Sequence, residues 1–178
     1  MLVEAVKYVV DKGKAIDIGG GSLRDTRYLL DQGFDVTVMD NSPLLNEEVA
    51  RIQNVKLHQF VASFEDFPFP KNEYDLASAM FALTFCDPLH FDTVFKKIED
   101  SLRSGGIFCG QLFGDRDMWS NNPNMTYPNK GHLMKLLSNF EVINFCEKET
   151  DDKDSSDEVR SGHVFQFIAR KCPPMSIR

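Results

Sequence analysis

The feature that most constrains this chain is a short apolar run that ends in glycines, is followed by a helical stretch, and is then repeated with an acid at its end. The run is Lys14-Ala15-Ile16-Asp17-Ile18-Gly19-Gly20-Gly21-Ser22, and the second is Asp35-Val36-Thr37-Val38-Met39-Asp40. Glycines let the backbone approach a ligand closely and take positive φ without a Cβ clash. The helix that follows presents unpaired N–H groups and the positive end of its dipole. An acid about 20 residues further on, at the tip of the neighbouring strand, accepts hydrogen bonds from ribose hydroxyls. Asp40 stands 19 positions after Gly21. The pattern therefore predicts a site for an adenosine-containing cofactor.

Apolar runs and helical patterns alternate along the rest of the chain, which predicts α/β architecture: a Rossmann-like, seven-stranded, mostly parallel sheet with helices on both faces. Strands are expected near 14–19, 35–40, 55–61, 74–80 and 106–113, and helices near 23–32, 44–52 and 90–103. Phe91, Val94, Phe95, Ile98 and Leu102 repeat at helical spacing, and Gly105-Gly106 is expected to end that helix. Pro68 and Pro70 leave room only for a turn between the third and fourth strands. A short helix near 130–138 precedes strands near 140–147 and 163–170. Two consecutive strands imply a hairpin, so one terminal strand should run antiparallel.

With 178 residues, 1–178 reads as one domain, with a short N-terminal helix in 1–13 and an acidic loop over 148–162. Between Glu147 and Glu158 seven acids stand against two lysines, so this segment carries most of the net charge of −7. Such a block is ordinarily a solvated face. The lack of a basic stripe argues against nucleic acid as a partner. No apolar run reaches membrane-spanning length, and no basic-then-apolar leader opens the chain. The four cysteines are widely spaced, which argues against a metal site or disulfide framework and for a reducing, cytoplasmic setting.

A dinucleotide site would want a glycine at position 24, where Arg24 stands. The alternative pattern D-x-G-x-G-x-G matches Asp17, Gly19 and Gly21 and misses only at Leu23. With Asp40 and the terminal hairpin, these residues resemble the class I S-adenosylmethionine-dependent methyltransferases. More narrowly, the chain is similar to the small bacterial branch of tellurite-resistance (TehB-like) enzymes. That resemblance spans about Gly13 to Lys171 and includes Arg24-Asp25-Thr26, Gly33-Phe34-Asp35-Val36, Ala82-Leu83-Thr84-Phe85-Cys86 and the stretch from Gly105 to Asp117.

The resemblance implies S-adenosyl-L-methionine as cofactor. Asp17, Gly19, Gly20 and Gly21 would hold its methionine part, and Asp40 with Asn41 its ribose. Glu65, Asp66 and Phe67 would meet the adenine, and Phe81 would pack near the cofactor. Structural roles stand beside each: Asp17 as a cap of the following turn, Glu65 as solvated surface, Phe81 as core. A side chain at Leu23 is expected to crowd the methionine carboxylate and weaken binding. Only about 13 residues precede the first strand, so a long helical cap over the cofactor is expected to be absent or reduced.

On the acceptor side the candidates are Asp115, Arg116 and Trp119 after the fifth strand, and His163 at the start of the last. Ligands gather outside the carboxyl ends of parallel strands, where the 115–119 loop belongs. Arg116 either grips an anionic substrate or pairs with neighbouring acids to hold the loop. Trp119 is a pocket wall or a loop anchor, and His163 a site residue or a satisfied structural histidine. The partner expected is a small-molecule methyl acceptor, a chalcogen oxyanion or a thiol among the options, on a monomer or homodimer. The competing readings are a catalytically inactive binding module of the same fold and a dinucleotide oxidoreductase.

Overall fold

The computed structural model describes residues 1–153 and 159–174. Among the described residues five α-helices, α1 (Leu2–Ala5), α2 (Arg24–Asp31), α3 (Leu45–Ala50), α4 (Phe91–Ser101) and α5 (Lys130–Leu136), flank seven strands. These are β1 (Lys14–Ile18), β2 (Asp35–Asp40), β3 (Leu57–Val61), β4 (Tyr74–Met80), β5 (Leu102–Phe113), β6 (Phe140–Lys153) and β7 (Val159–Lys171). One sheet holds all seven in the order β3-β2-β1-β4-β5-β7-β6. β1 to β5 pair in parallel, and β7 runs antiparallel between β5 and β6.

Strand alternation sends side chains to two apolar layers. Ile16, Ile18, Met39, Phe108 and Phe167 pack with Phe91, Val94, Phe95 and Ile98 of α4 and Leu133 of α5. Ala15, Val36, Leu76 and Ile107 pack on the other face with Leu2 and Ala5 of α1 and Leu29 of α2. Each of the larger side chains among these (Val, Leu, Ile, Met, Phe), fully buried, is worth roughly 1.5–3 kcal/mol. Helix α2 ends where Gly33, at φ +95°, donates to the Leu30 carbonyl and Phe34 donates to that of Leu29. This pair of bonds needs the left-handed residue that glycine supplies, and it brings the buried Leu29 and Phe34 into one cluster. It also aims the chain straight into β2, so the tip of β2 comes to lie beside the glycine turn.

Two boundaries differ from the sequence reading. The helix stops at Ser101, and Gly105-Gly106 lies inside β5, where the pairing with β4 slips between Tyr74–Leu102 and Leu76–Ile107. Gly105, at φ +80°, permits that bulge. The segment 148–162, expected as a loop, is strand where it is described: Lys148 pairs with Val164 and Lys153 with Val159. Acids spaced by two residues fit a ribbon with a solvated face as well as they fit a loop. Residues 154–158 of that segment lie outside the described residues.

Candidate functional site

The carboxyl ends of β1, β2 and β4 enclose a cavity of about 390 Å³. Gly19, Asp40, Asn41, Glu65 and Phe81, all singled out in the sequence, line it together with Ala62, Ser63, Phe64, Met80, Ala82 and Phe85. A second cavity of about 240 Å³ adjoins it at Gly19 and Met80 and is bounded by Asp17, Gly20, Gly21 and Arg24. The two form one cleft over the glycine turn. Gly19 (φ +71°) and Gly21 (φ +49°) occupy the left-handed region, and a Cβ on Gly19 would lie 2.4 Å from that of Ala82. No larger residue could keep the backbone this near the cleft.

Asp40 is oriented by the backbone. One carboxylate oxygen accepts from the Gly21 amide and the other from the Ser42 amide, each at 2.9 Å. Each oxygen keeps further acceptor capacity beside the cavity, which a vicinal diol can use. Asp17, buried beneath the turn, accepts from the Thr26 hydroxyl at 2.6 Å. Burial raises its pKa to about 6, with the Thr26 bond opposing the shift. It thus ties α2 to β1 while bordering the smaller cavity.

Asp66 and Phe67 do not line the cleft. Asp66 is exposed and bonded to the Ser63 hydroxyl, while Phe67 is buried, edge-on to Phe60 and Phe69. Ala62, Ser63 and Phe64, immediately after β3, stand in the wall instead. Leu23 departs from its expectation as well. It takes the glycine conformation (φ +61°), yet its side chain is fully buried against Val38 and Leu45 and borders neither cavity. It therefore does not crowd the cleft.

Residues 15–106 match the methyltransferase domain family. The chain belongs to that family. The cleft suits S-adenosylmethionine: a turn free of side chains, a diol acceptor in Asp40, and acids at the far end for an ammonium. The chain is 33% identical over 96 residues to a malonyl-[acyl-carrier protein] O-methyltransferase of Enterobacter lignolyticus, covering 54% of this chain and 37% of that protein's length. TehB of Haemophilus influenzae shares the fold at a TM-score of 0.79 and 18% identity, over 96% of this chain and 61% of TehB. A Burkholderia thailandensis 1,6-didemethyltoxoflavin-N1-methyltransferase, crystallised with bound 1,6-didemethyltoxoflavin and S-adenosylhomocysteine, does so at 0.72 and 20%, over 97% and 76%.

The residues expected on the acceptor side, Asp115, Arg116 and His163, meet, but in an ion-pair network outside both cavities. Arg116 donates to Glu147 at 2.6 Å and through Nε to Glu149 at 2.8 Å. Lys130 holds the second Glu147 oxygen at 3.1 Å. These cations, Arg116 first, bring the Glu147 pKa down to about 2. His163 is buried; its Nδ1 accepts from the Arg116 amide at 3.1 Å, and its Nε2 lies 3.2 Å from Glu147 and 3.1 Å from the Arg116 guanidinium. Glu147, Glu149 and His163 have ligand atoms within 4.8 Å of one another, the spacing of a metal site. The guanidinium of Arg116 neutralises that charge directly. Trp119 stands apart, half-exposed, its ring edge-on to Phe113 at 5.3 Å.

Proposed function

We propose that the chain is an S-adenosylmethionine-dependent methyltransferase that alkylates a small-molecule acceptor. The observation that carries this is the cleft across β1, β2 and β4, in which Asp40 is pinned by two backbone amides beside a turn that admits no Cβ at Gly19. When bound, S-adenosylmethionine supplies a methyl group on a cationic sulfur, open to in-line attack. The protein's part is orientation and exclusion of water. Asp17, Gly20 and Gly21 would hold the methionine end, Asp40 and Asn41 the ribose, and Ser63, Phe64 and Glu65 the adenine. Phe81, held at φ +58° with its amide donating to the Gln111 carbonyl, turns a ring into the cavity wall. A non-glycine residue in that conformation costs on the order of 1–3 kcal/mol, and such strain concentrates at functional sites.

The acids lining the larger cavity are poorly placed as general bases. Both Asp40 oxygens already accept from the backbone, and Glu65 accepts from the Cys86 thiol at 3.5 Å. An acceptor that arrives with an available lone pair needs no base. The four free cysteines support a reducing, cytoplasmic setting. The test is calorimetry of S-adenosylmethionine with wild type and Asp40→Asn. Loss of a charge-assisted bond, about 1.5–3 kcal/mol, predicts roughly 10- to 100-fold weaker binding. Equal affinity in the two proteins would refute the placement. Release of S-adenosylhomocysteine with some member of a panel of thiols, selenite, tellurite and aromatic alcohols or amines separates an enzyme from a binding module.

A further inference from the structure

The aromatic residues on the acceptor side form a line. Phe81, in the wall of the larger cavity, lies 5.0 Å from Phe113, and Phe113 lies 5.3 Å from Trp119. Phe113 and Trp119 are also walls of an open groove of about 230 Å³, flanked by Met118 and Asp117 and by Thr150 and Gly162 of the β6–β7 ribbon. An apolar cavity of about 150 Å³ is known to admit benzene, so this groove has room for one or two fused rings.

The wall is held in place from β7. Gly114 donates to the His163 carbonyl at 2.7 Å and Met118 to the Ser161 carbonyl at 2.9 Å. Asp117, buried, accepts from the His163 amide at 3.1 Å with one oxygen and from the Trp119 amide at 3.0 Å with the other. The loop after β5 is thus docked by main-chain bonds that leave the Trp119 ring free to face a ligand.

Charge decides what that ligand is. Among the described residues lining this groove and the larger cofactor cavity there is no lysine, arginine or histidine, while Asp40, Glu65 and Asp117 are present. Arg116 and Lys130, the cations nearest in sequence to the loop, are paired with Glu147 and Glu149. An oxyanion would find no counter-charge here. The lining is net acidic, which disfavours an anion and accepts a neutral or weakly basic ring.

We infer that the acceptor of this methyltransferase is a flat, non-anionic molecule of one or two rings, held against Trp119 and Phe113 with its reactive edge toward Phe81. This rests on the proposed methyltransferase reading and narrows its acceptor class. Trp119 is the only tryptophan, so its emission reports the site directly. Quinoline, neutral at pH 7.5, is titrated against selenite into protein saturated with S-adenosylhomocysteine. The expected result is saturable quenching by quinoline and none by selenite. Phe113→Ala, removing one aromatic partner, should weaken quinoline roughly three- to tenfold. Trp119→Phe, followed by calorimetry, should retain it within a few-fold.

Saturable binding of selenite, failure of quinoline to saturate, or an unchanged Phe113→Ala would overturn the inference. A repeat without S-adenosylhomocysteine separates the two claims. Protein that holds quinoline but no S-adenosylhomocysteine keeps the aromatic site and defeats the cofactor reading. Protein that holds S-adenosylhomocysteine but not quinoline does the reverse.

Discussion

Leu23 offers a direct measure of what the glycine turn demands. It sits at φ +61°, where a residue with a Cβ is strained by about 1–2 kcal/mol. It survives there because its side chain is fully buried with Val38 and Leu45. Truncating a buried leucine to alanine costs roughly 2.7–5 kcal/mol. Leu23→Ala keeps the backbone strain and loses the packing, so it should lose about 3–4 kcal/mol. Leu23→Gly loses the same packing but relieves the strain, and should lose only about 2–3 kcal/mol. Glycine should therefore outlast alanine at this position, the reverse of their order in ordinary helical or extended backbone. Urea unfolding of the three proteins measures this, with midpoints about 1 M below wild type for glycine and lower again for alanine. Because Leu23 borders neither cavity, calorimetry should find S-adenosylmethionine affinity within about twofold of wild type in Leu23→Gly. Alanine matching or exceeding glycine in stability, or markedly tighter cofactor binding in the glycine variant, would refute the reasoning.

Asp17 makes stability depend on pH. Its folded pKa of about 6 lies above the ordinary 3.8, so its contribution is complete below 3.8 and is lost as pH rises through 6. The loss is about 3 kcal/mol, and Asp17→Asn should abolish that slope in unfolding midpoints taken across this window. Gly19→Ala would force a Cβ against Ala82 at φ +71°. It should lower thermal stability and weaken the cofactor at least tenfold by calorimetry. Asp117→Ala removes the acceptor shared by the His163 and Trp119 amides and should cost about 1–3 kcal/mol. Its signature is a red-shifted Trp119 emission with S-adenosylmethionine affinity preserved, and an unshifted spectrum would show that Asp117 does not hold the loop.

The central strands were legible because parallel strands buried on both faces are continuous apolar runs, and Gly33, Pro68 and Pro70 mark where they break. The outer ribbon was not. Past Cys146, β6 and β7 pair mainly with each other, so their residues need not be apolar, and Glu147, Lys148 and Glu149 read as solvated chain. The end of α4 was obscured for a related reason. Leu102 continues the helical apolar spacing, yet it is buried as the first residue of β5, opposite Tyr74. Periodicity reports burial, and both elements bury that residue.

The site divides along the same line. Gly19 and Asp40 could be found because each is needed for backbone or hydrogen-bond geometry that few residues supply. Phe64, Met80 and Phe85 were missed, although a positional signal existed: they lie at or just beyond the ends of β3 and β4, where ligands gather in such sheets. Arg116 and His163 carry the residue types of a catalytic pair, but their partners Glu147 and Glu149 come more than 30 positions after the arginine. A sequence shows that a charge is present, not whether another charge has already met it. The acidic run read as solvent-facing is what engages Arg116, and it thereby removes from the acceptor side the cation that an oxyanion would require. The same pairing leaves the ring line from Phe81 to Trp119 as the feature on which acceptor choice turns.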